Sequence, residues 1–473
     1  MEFYSFEFLL FFVTVALGVF YLPKRLKLVW LLLSSLYFYG MFLREFVYVL
    51  VLVGLVTYLL GILIDKSRLR IRKKIWLGVG VLFNLGLLVV FKYLQFGLDI
   101  LGIEHLVGWV KSPVITSLVL PIGLSFYVLQ GVGYLIDVYR GKLNVEINPI
   151  RFGLFMAFFP RLISGPIERG ESFLKQLDGV GRFDYERVVE GMSLFSWGLF
   201  KKLVADRIDA EIVSVLFAMP TIFKGKPVWI VVYTLSLWIY LDFSGYIDMA
   251  RGIAKIIGIE LAVNFDKPWR AISIKDFWKR WHVSLSSWFR DYVYFPLGGN
   301  RVEAVRWAVN ILVVFGLSGL WHGANWTFVV WGLMHGGVYL LQEAEWWGKK
   351  MLLGLWLKLN GWMRRIAEIV VTFSFVSVAW VFFRAENLDK ARLIVGNLWL
   401  AEVGDTTALL GGLYLVGLAI AILLVEELTK RRNVRKLVIH LPVVVRWGIY
   451  VVWVAVLLNL GLDEKVPFIY EQF

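Results

Sequence analysis

Apolar runs broken by short basic clusters set the pattern of this chain. Phe3–Leu22 is followed by Lys24, Arg25 and Lys27, then by runs at roughly Leu28–Phe42 and Phe46–Ile64. The dense basic cluster Asp65–Lys74 precedes a fourth run at roughly Ile75–Val90. A helix needs about 20 apolar residues to cross the hydrocarbon core of a bilayer, so these runs predict membrane spans. Pro113–Tyr139, Pro227–Tyr246, Ala367–Phe383, Ala408–Val425 and Leu441–Leu460 extend the series. Within it, Leu120–Tyr127 (LPIGLSFY) carries a proline and a glycine that should loosen its helix.

Lysine and arginine are retained on the cytoplasmic side. Putting Lys24–Lys27, Asp65–Lys74, Arg140 and Lys142, Lys349–Arg365 and Thr429–Lys436 inside gives a consistent alternation. It predicts about twelve spans with both termini outside. The mixed segment Lys92–Lys111, with His105, falls outside, and the tail with Asp463, Glu464 and Glu471 does too. His440 sits at the last inner boundary. Phe3–Leu22 lacks a basic lead and a small-residue cleavage site, so it is expected to be a retained span.

The longest uncharged run is Trp307–Gln342. At about 1.5 Å per residue it would make about 54 Å of helix, too long for one crossing of about 30 Å. It predicts two spans meeting at Gly319 and Gly323, within Ser318–Trp326 (SGLWHGANW). His322 lies at that junction. A neutral imidazole exchanges a proton near pH 7, and an ionisable group at membrane depth is a functional candidate. A hydrogen-bonded structural histidine is the plain alternative.

Upstream, Ile274, Trp278, Trp281, Leu285, Trp288 and Tyr292 recur at intervals of four and three, as on one face of a helix. Lys275, Lys279, Ser286 and Arg290 fall opposite. That predicts one basic, tryptophan-rich helix lying in the membrane interface, with His282 bordering its apolar face.

Two further stretches carry charge at membrane depth. Ile150–Gly170 is too short to span and holds two prolines, which predicts a re-entrant or cytoplasmic-face segment with Arg161, Glu168 and Arg169 facing a cavity or the interface. Asp242 and Asp248 should be ion-paired or wet, with Arg251 as a nearby partner. Lys201 and Lys202 interrupt the run from Val188 to Phe223 and make that crossing the least regular.

Composition narrows the class. The 473 residues are 59% hydrophobic and 18% charged, as in a polytopic membrane protein. With no cysteine, thiolate nucleophiles, disulfides, and Cys-based zinc or iron–sulfur sites are excluded, so any thioester in the chemistry must arrive on a donor. The net charge of +14 fits basic cytoplasmic loops beside an anionic leaflet rather than a nucleic-acid partner.

Several segments together resemble the membrane-bound O-acyltransferase family, and within it the bacterial alginate O-acetyltransferase branch. They are FPRLISGPIERG (Phe159–Gly170), WGLFKKLVADR (Trp197–Arg207), YLDFSGYIDMARGIAKIIGI (Tyr240–Ile259), FWKRWHVSLSSWFRDYVYFPLGGNR (Phe277–Arg301), WHGANWTFVVWGLMHG (Trp321–Gly336) and VAWVFFRAENLDKA (Val378–Ala391). The resemblance implies an all-α polytopic fold, with re-entrant and interfacial helices around a central cavity or tunnel. It implies one acyltransferase domain over residues 1–473, richest in motifs from about 115 to 400. It also implies that His322 is the catalytic histidine and His282 its upstream partner.

On that footing His322 is the candidate general base on an acceptor hydroxyl. His282 would polarise or hold the acyl carbonyl. Asn325, Trp321 and Trp326 would supply donors or walls for an oxyanion, with Trp281 also against the substrate. Lys279, Arg280 and Arg290 are candidate contacts for donor phosphates or a solvated basic face. No bound cofactor or metal is expected; acetyl-CoA or an acyl-carrier thioester would be the donor. The family implies a plasma-membrane location, a separate extracytoplasmic acetyltransferase partner and a polysaccharide synthase. D-alanyl transfer from a carrier protein, a lipid-linked transporter or flippase, and a secretion scaffold are the rival readings.

Overall fold

The computed structural model describes residues 2–42, 44–101, 120–343, 360–401, 411–429 and 441–461, and among these there is helix and no strand. The helices used below are α1 (Phe6–Tyr21), α2 (Lys24–Gly40), α3 (Arg44–Lys66), α4 (Arg70–Leu88), α5 (Leu124–Tyr139), α6 (Pro149–Ala157), α7 (Tyr185–Ile208), α8 (Lys226–Ile257), α9 (Ile274–Arg280), α10 (Val283–Phe289), α11 (Ala304–His322), α12 (Trp326–Glu343), α13 (Gly361–Arg384), α14 (Leu388–Asn397), α15 (Leu413–Leu428) and α16 (Val443–Leu460). Among the described residues, six stretches are long and apolar enough to cross a membrane: Arg44–Lys66, Arg70–Leu101, Lys226–Ile257, Ala304–His322, Gly361–Arg384 and Val443–Leu460. The other described helices are shorter or more polar than that measure requires. His105, His440, Lys349, Lys350, Lys358 and the acidic tail lie outside the described residues.

The chain divides into two compact units. The first holds residues 1–195 and 249–262. Here α4 runs on through a π-helical turn, Val89–Tyr93, to Leu101, which places Lys92 in a helix and not in the expected loop. Helix α5 is buried along nearly its whole length. It starts after Gly123, whose φ of +79° and approach to the Leu162 carbonyl, 2.3 Å from where a Cβ would lie, admit only glycine. Helix α6 begins as Asn148-Pro149 predicts, the Asn148 side chain accepting from the Ile150 and Arg151 N–H groups.

The segment after α6 is short and buried rather than interfacial. Arg161 donates to the Gln130 side chain and to the Phe155 carbonyl, and its guanidinium lies 4.4 Å from the Phe173 ring centre. Glu168 accepts from the Ala262 N–H at 2.6 Å. Burial raises the Glu168 pKa, opposed by that hydrogen bond and by Arg161 and Arg251.

The second unit holds residues 196–248 and 263–473. Its centre is the α11–α12 hairpin. The break falls at Gly323, which is extended, while Gly319 stays inside α11. The expected single interfacial helix over Ile274–Tyr292 is instead two short helices, α9 and α10, with a kink at Trp281–His282. The predicted apolar face is nevertheless the buried one: Ile274, Trp281, Leu285, Trp288 and Tyr292 are all inside.

Lys201 and Lys202 are inside as well. Lys201 Nζ lies 2.7 Å from Asp248 and 3.1 Å from Glu426. Lys202 Nζ lies 2.6 Å from Asp206 and 2.7 Å from Asp242. The two carboxylates expected to need partners have them in these lysines. A charge removed from water demands such pairing. Glu426 also accepts from Tyr240 at 2.6 Å and from Trp197 at 3.2 Å.

Candidate active site

Helix α11 ends at His322 because Gly323 leaves the helical region (φ −161°, ψ 148°). His282 sits at the α9–α10 kink with φ +43°, a conformation that side chains with a Cβ rarely adopt. Asn264 holds that kink: its carbonyl accepts from the Val283 N–H at 3.0 Å and its side-chain oxygen from the Ser284 N–H at 3.1 Å. Strain persists where the surroundings over-determine it.

Trp321 brings the two histidines together. Its ring centre is 4.9 Å from that of His322 and 6.3 Å from that of His282, edge-on to both. Trp331 and Phe383 stand edge-on to His322 at 5.1 and 5.2 Å, and Phe243 to His282 at 4.9 Å. Both histidines are buried, and burial pushes the His282 pKa down to about 3. A small apolar cavity of about 30 Å³ is walled in part by Tyr240, Phe277, Trp281 and Trp380, and neither histidine is among its lining residues. That is room for about one water. Trp380 stacks on Trp331 at 5.4 Å, so the cavity wall and the His322 enclosure share one aromatic layer.

The remaining predicted residues stand apart from this cluster. The Asn325 amide donates to the Glu386 carbonyl at 2.9 Å and its oxygen accepts from the Thr327 N–H at 3.0 Å, so it fastens the start of α12 with one of its two N–H donors used on Glu386. Trp326 is half-exposed. Arg280 pairs with Asp276 at 3.0 Å and Arg290 with Asp291 at 2.8 Å, while Lys279 is exposed.

The sequence pattern of the membrane-bound O-acyltransferase family matches residues 143–345, a range that holds both histidines and Trp321. A probable alginate O-acetylase AlgI of Azotobacter vinelandii is 37% identical over 412 residues, 86% of this chain and 79% of that one. This chain belongs to the membrane-bound O-acyltransferase family. A peptidoglycan O-acetyltransferase of Helicobacter pylori is 33% identical over 395 residues, 78% of this chain and 73% of the relative. A teichoic acid D-alanyltransferase of Bacillus subtilis is 32% identical over 275 residues, 55% of this chain and 68% of the relative. As a membrane-bound O-acyltransferase the chain is a multi-pass membrane enzyme.

Sequence reasoning passed over several residues that build this acyltransferase's histidine cluster. Trp331 and Phe383 wall His322, Trp380 packs behind both, and Asn264 fastens His282. Trp380 and Phe383 lie in one of the family-like segments, a signal that marked the stretch but not the contact. Asn264 had no signal at all, because its role depends on a backbone 20 residues away.

Proposed function

We propose that this membrane-bound O-acyltransferase moves an acetyl group from a cytoplasmic thioester to hydroxyls of an extracytoplasmic polysaccharide, with His322 as general base. The observation that carries this reading is coverage: the probable alginate O-acetylase aligns over 86% of this chain, the D-alanyltransferase over 55%. Acetyl-CoA or an acyl-carrier thioester is the donor. A secreted acetyltransferase and a polysaccharide synthase are the partners, and both termini face outward.

In the transfer, the acceptor hydroxyl gives its proton to the His322 imidazole as its oxygen bonds to the thioester carbonyl carbon. The tetrahedral adduct collapses, the C–S bond breaks, and the imidazolium returns the proton to the departing sulfur. His282, kept neutral by burial, donates an N–H to the acyl carbonyl. The tryptophan walls keep water from the thioester. Of the basic residues expected at donor phosphates, Lys279 is the one left to meet them, since Arg280 and Arg290 are ion-paired.

The test is His322→Ala in cells that keep the secreted partner and lack other membrane-bound O-acyltransferases. Ester content of the polysaccharide, read by hydroxylamine, should fall to background while the variant still inserts. Wild-type ester content would reject the assignment. Release of D-alanine instead of acetate from the wild-type product would favour D-alanyl transfer.

A further inference from the structure

A third histidine belongs to the machinery. His335, on α12, is completely buried. Its Nδ1 accepts the indole N–H of Trp278 at 3.3 Å. An accepting Nδ1 carries no proton, so the neutral ring holds its proton on Nε2. Helices α9, α11 and α13 all bring an aromatic ring against this one on α12, Phe375 of α13 standing edge-on at 5.4 Å. The His335 ring lies nearly parallel to Phe277 of α9 (6.1 Å, 16°) and to Phe315 of α11 (6.4 Å, 12°). Helix α9 leads directly into the His282 kink, and Phe315 lies two turns before His322 on α11. Trp331, one turn earlier on α12, is edge-on to both His335 and His322 at 5.1 Å.

Two other polar ties run between α9 and α12, both at the far end of α12. The Ile274 N–H donates to Gln342 at 2.8 Å and Lys275 pairs with Glu343 at 2.9 Å. Both lie about two turns from His335 along α12. The Trp278–His335 bond is therefore the tie nearest the reacting end. An aromatic stack alone allows sliding; one directional bond fixes register.

We propose that His335 is a positioning residue, which sets the His282 kink against the end of α11 by accepting the Trp278 indole proton at Nδ1. The proposal rests on His322 and His282 being the reacting pair. An apolar residue would fill the same space without selecting one rotation of α9. A misplacement of about 1 Å at a reacting pair costs about 100-fold in rate.

The test separates the two ring nitrogens. In His335→Asn the amide oxygen stands where Nδ1 was and keeps the acceptor. In His335→Gln the amide reaches the Nε2 position and the Nδ1 acceptor is lost. His335→Phe keeps the ring and loses both. Ester content of the polysaccharide is read by hydroxylamine and divided by the amount of inserted protein, with Trp278→Phe and the double variant Trp278→Phe/His335→Phe alongside. His335→Phe, His335→Gln and Trp278→Phe should each lose about 10- to 100-fold, the double variant should lose no more than either single, and His335→Asn should recover to within a few-fold of wild type. Equal activity in the Asn and Gln variants, or additive losses in the double variant, would overturn the proposal. His322→Ala runs in parallel: background ester there with a wild-type level in His335→Phe sinks the positioning role alone, whereas wild-type ester in His322→Ala sinks the functional reading. Should the His335 variants fail to insert, Trp278→Phe with wild-type ester per inserted molecule overturns the proposal from the other partner.

Discussion

Gly319 and Gly332 cross backbone against backbone where α11 meets α12. A Cβ on Gly319 would lie 2.2 Å from the Phe328 carbonyl oxygen, and one on Gly332 would lie 2.2 Å from that of Phe315 and 3.3 Å from the Gly319 Cα. Small residues let membrane helices approach this closely, and the approach seats Trp331 against His322. Gly319→Ala or Gly332→Ala should push the helices apart, lower the melting temperature in detergent and cut ester formation by about tenfold or more. Gly337, on the same helix with open space around it, is the comparison: Gly337→Ala should leave both readouts unchanged.

The burial of His282 predicts acid sensitivity. Its pKa is about 3 when folded, against an ordinary 6.5. Between those values the unfolded chain binds the proton and the folded one does not. The contribution is therefore complete above about pH 6.5 and is lost progressively as pH falls toward 3. Thermal melting followed from pH 7 to pH 4 should decline more steeply for wild type than for His282→Asn, which tolerates the left-handed backbone and does not titrate. Parallel declines would contradict the assignment.

Asn264 should matter to activity out of proportion to its distance from any reacting group. Asn264→Ala removes the acceptor for the Ser284 N–H and leaves the backbone bond to Val283. A lost cap of this kind costs about 1 kcal/mol. The expected outcome is a small drop in unfolding midpoint with a much larger drop in ester content, because the His282 kink relaxes. A stability loss with unchanged ester content would show that the kink holds itself.

Lys202 bridges Asp206 and Asp242 away from water. Lys202→Met leaves both carboxylates without a cation, which should cost about 3–5 kcal/mol. Lys202→Met combined with Asp206→Asn and Asp242→Asn should recover most of that loss, because the charges that needed the lysine are gone. Denaturant titration of the purified protein in detergent checks both variants.

Local signals in the sequence carried much of this and long-range ones carried little. Apolar runs placed the helices, and the spacing of Ile274, Trp281, Leu285, Trp288 and Tyr292 picked the buried face. The kink through His282 was hidden, since neither proline nor glycine marks it and a periodic pattern continues across it. His322 stood out because WHGAN interrupts an uncharged run, whereas His335 sits within a regular helix and shows its role only against Trp278, 57 residues earlier. Asn325 is a further long-range case: its place beside His322 in the chain fitted an oxyanion role, and nothing local showed that its amide also donates to the Glu386 carbonyl, 61 residues on.

Glu426 shapes how the protein must be assembled as it leaves the ribosome. It rides on α15, an apolar helix, and its neutralising partner Lys201 is made 225 residues sooner. A bare carboxylate is costly to insert into lipid. Lys201, Trp197 and Tyr240 are already in place when α15 emerges, so they form a ready berth for it. The acidic side chain of α15 is thus met by groups that the ribosome has made before it.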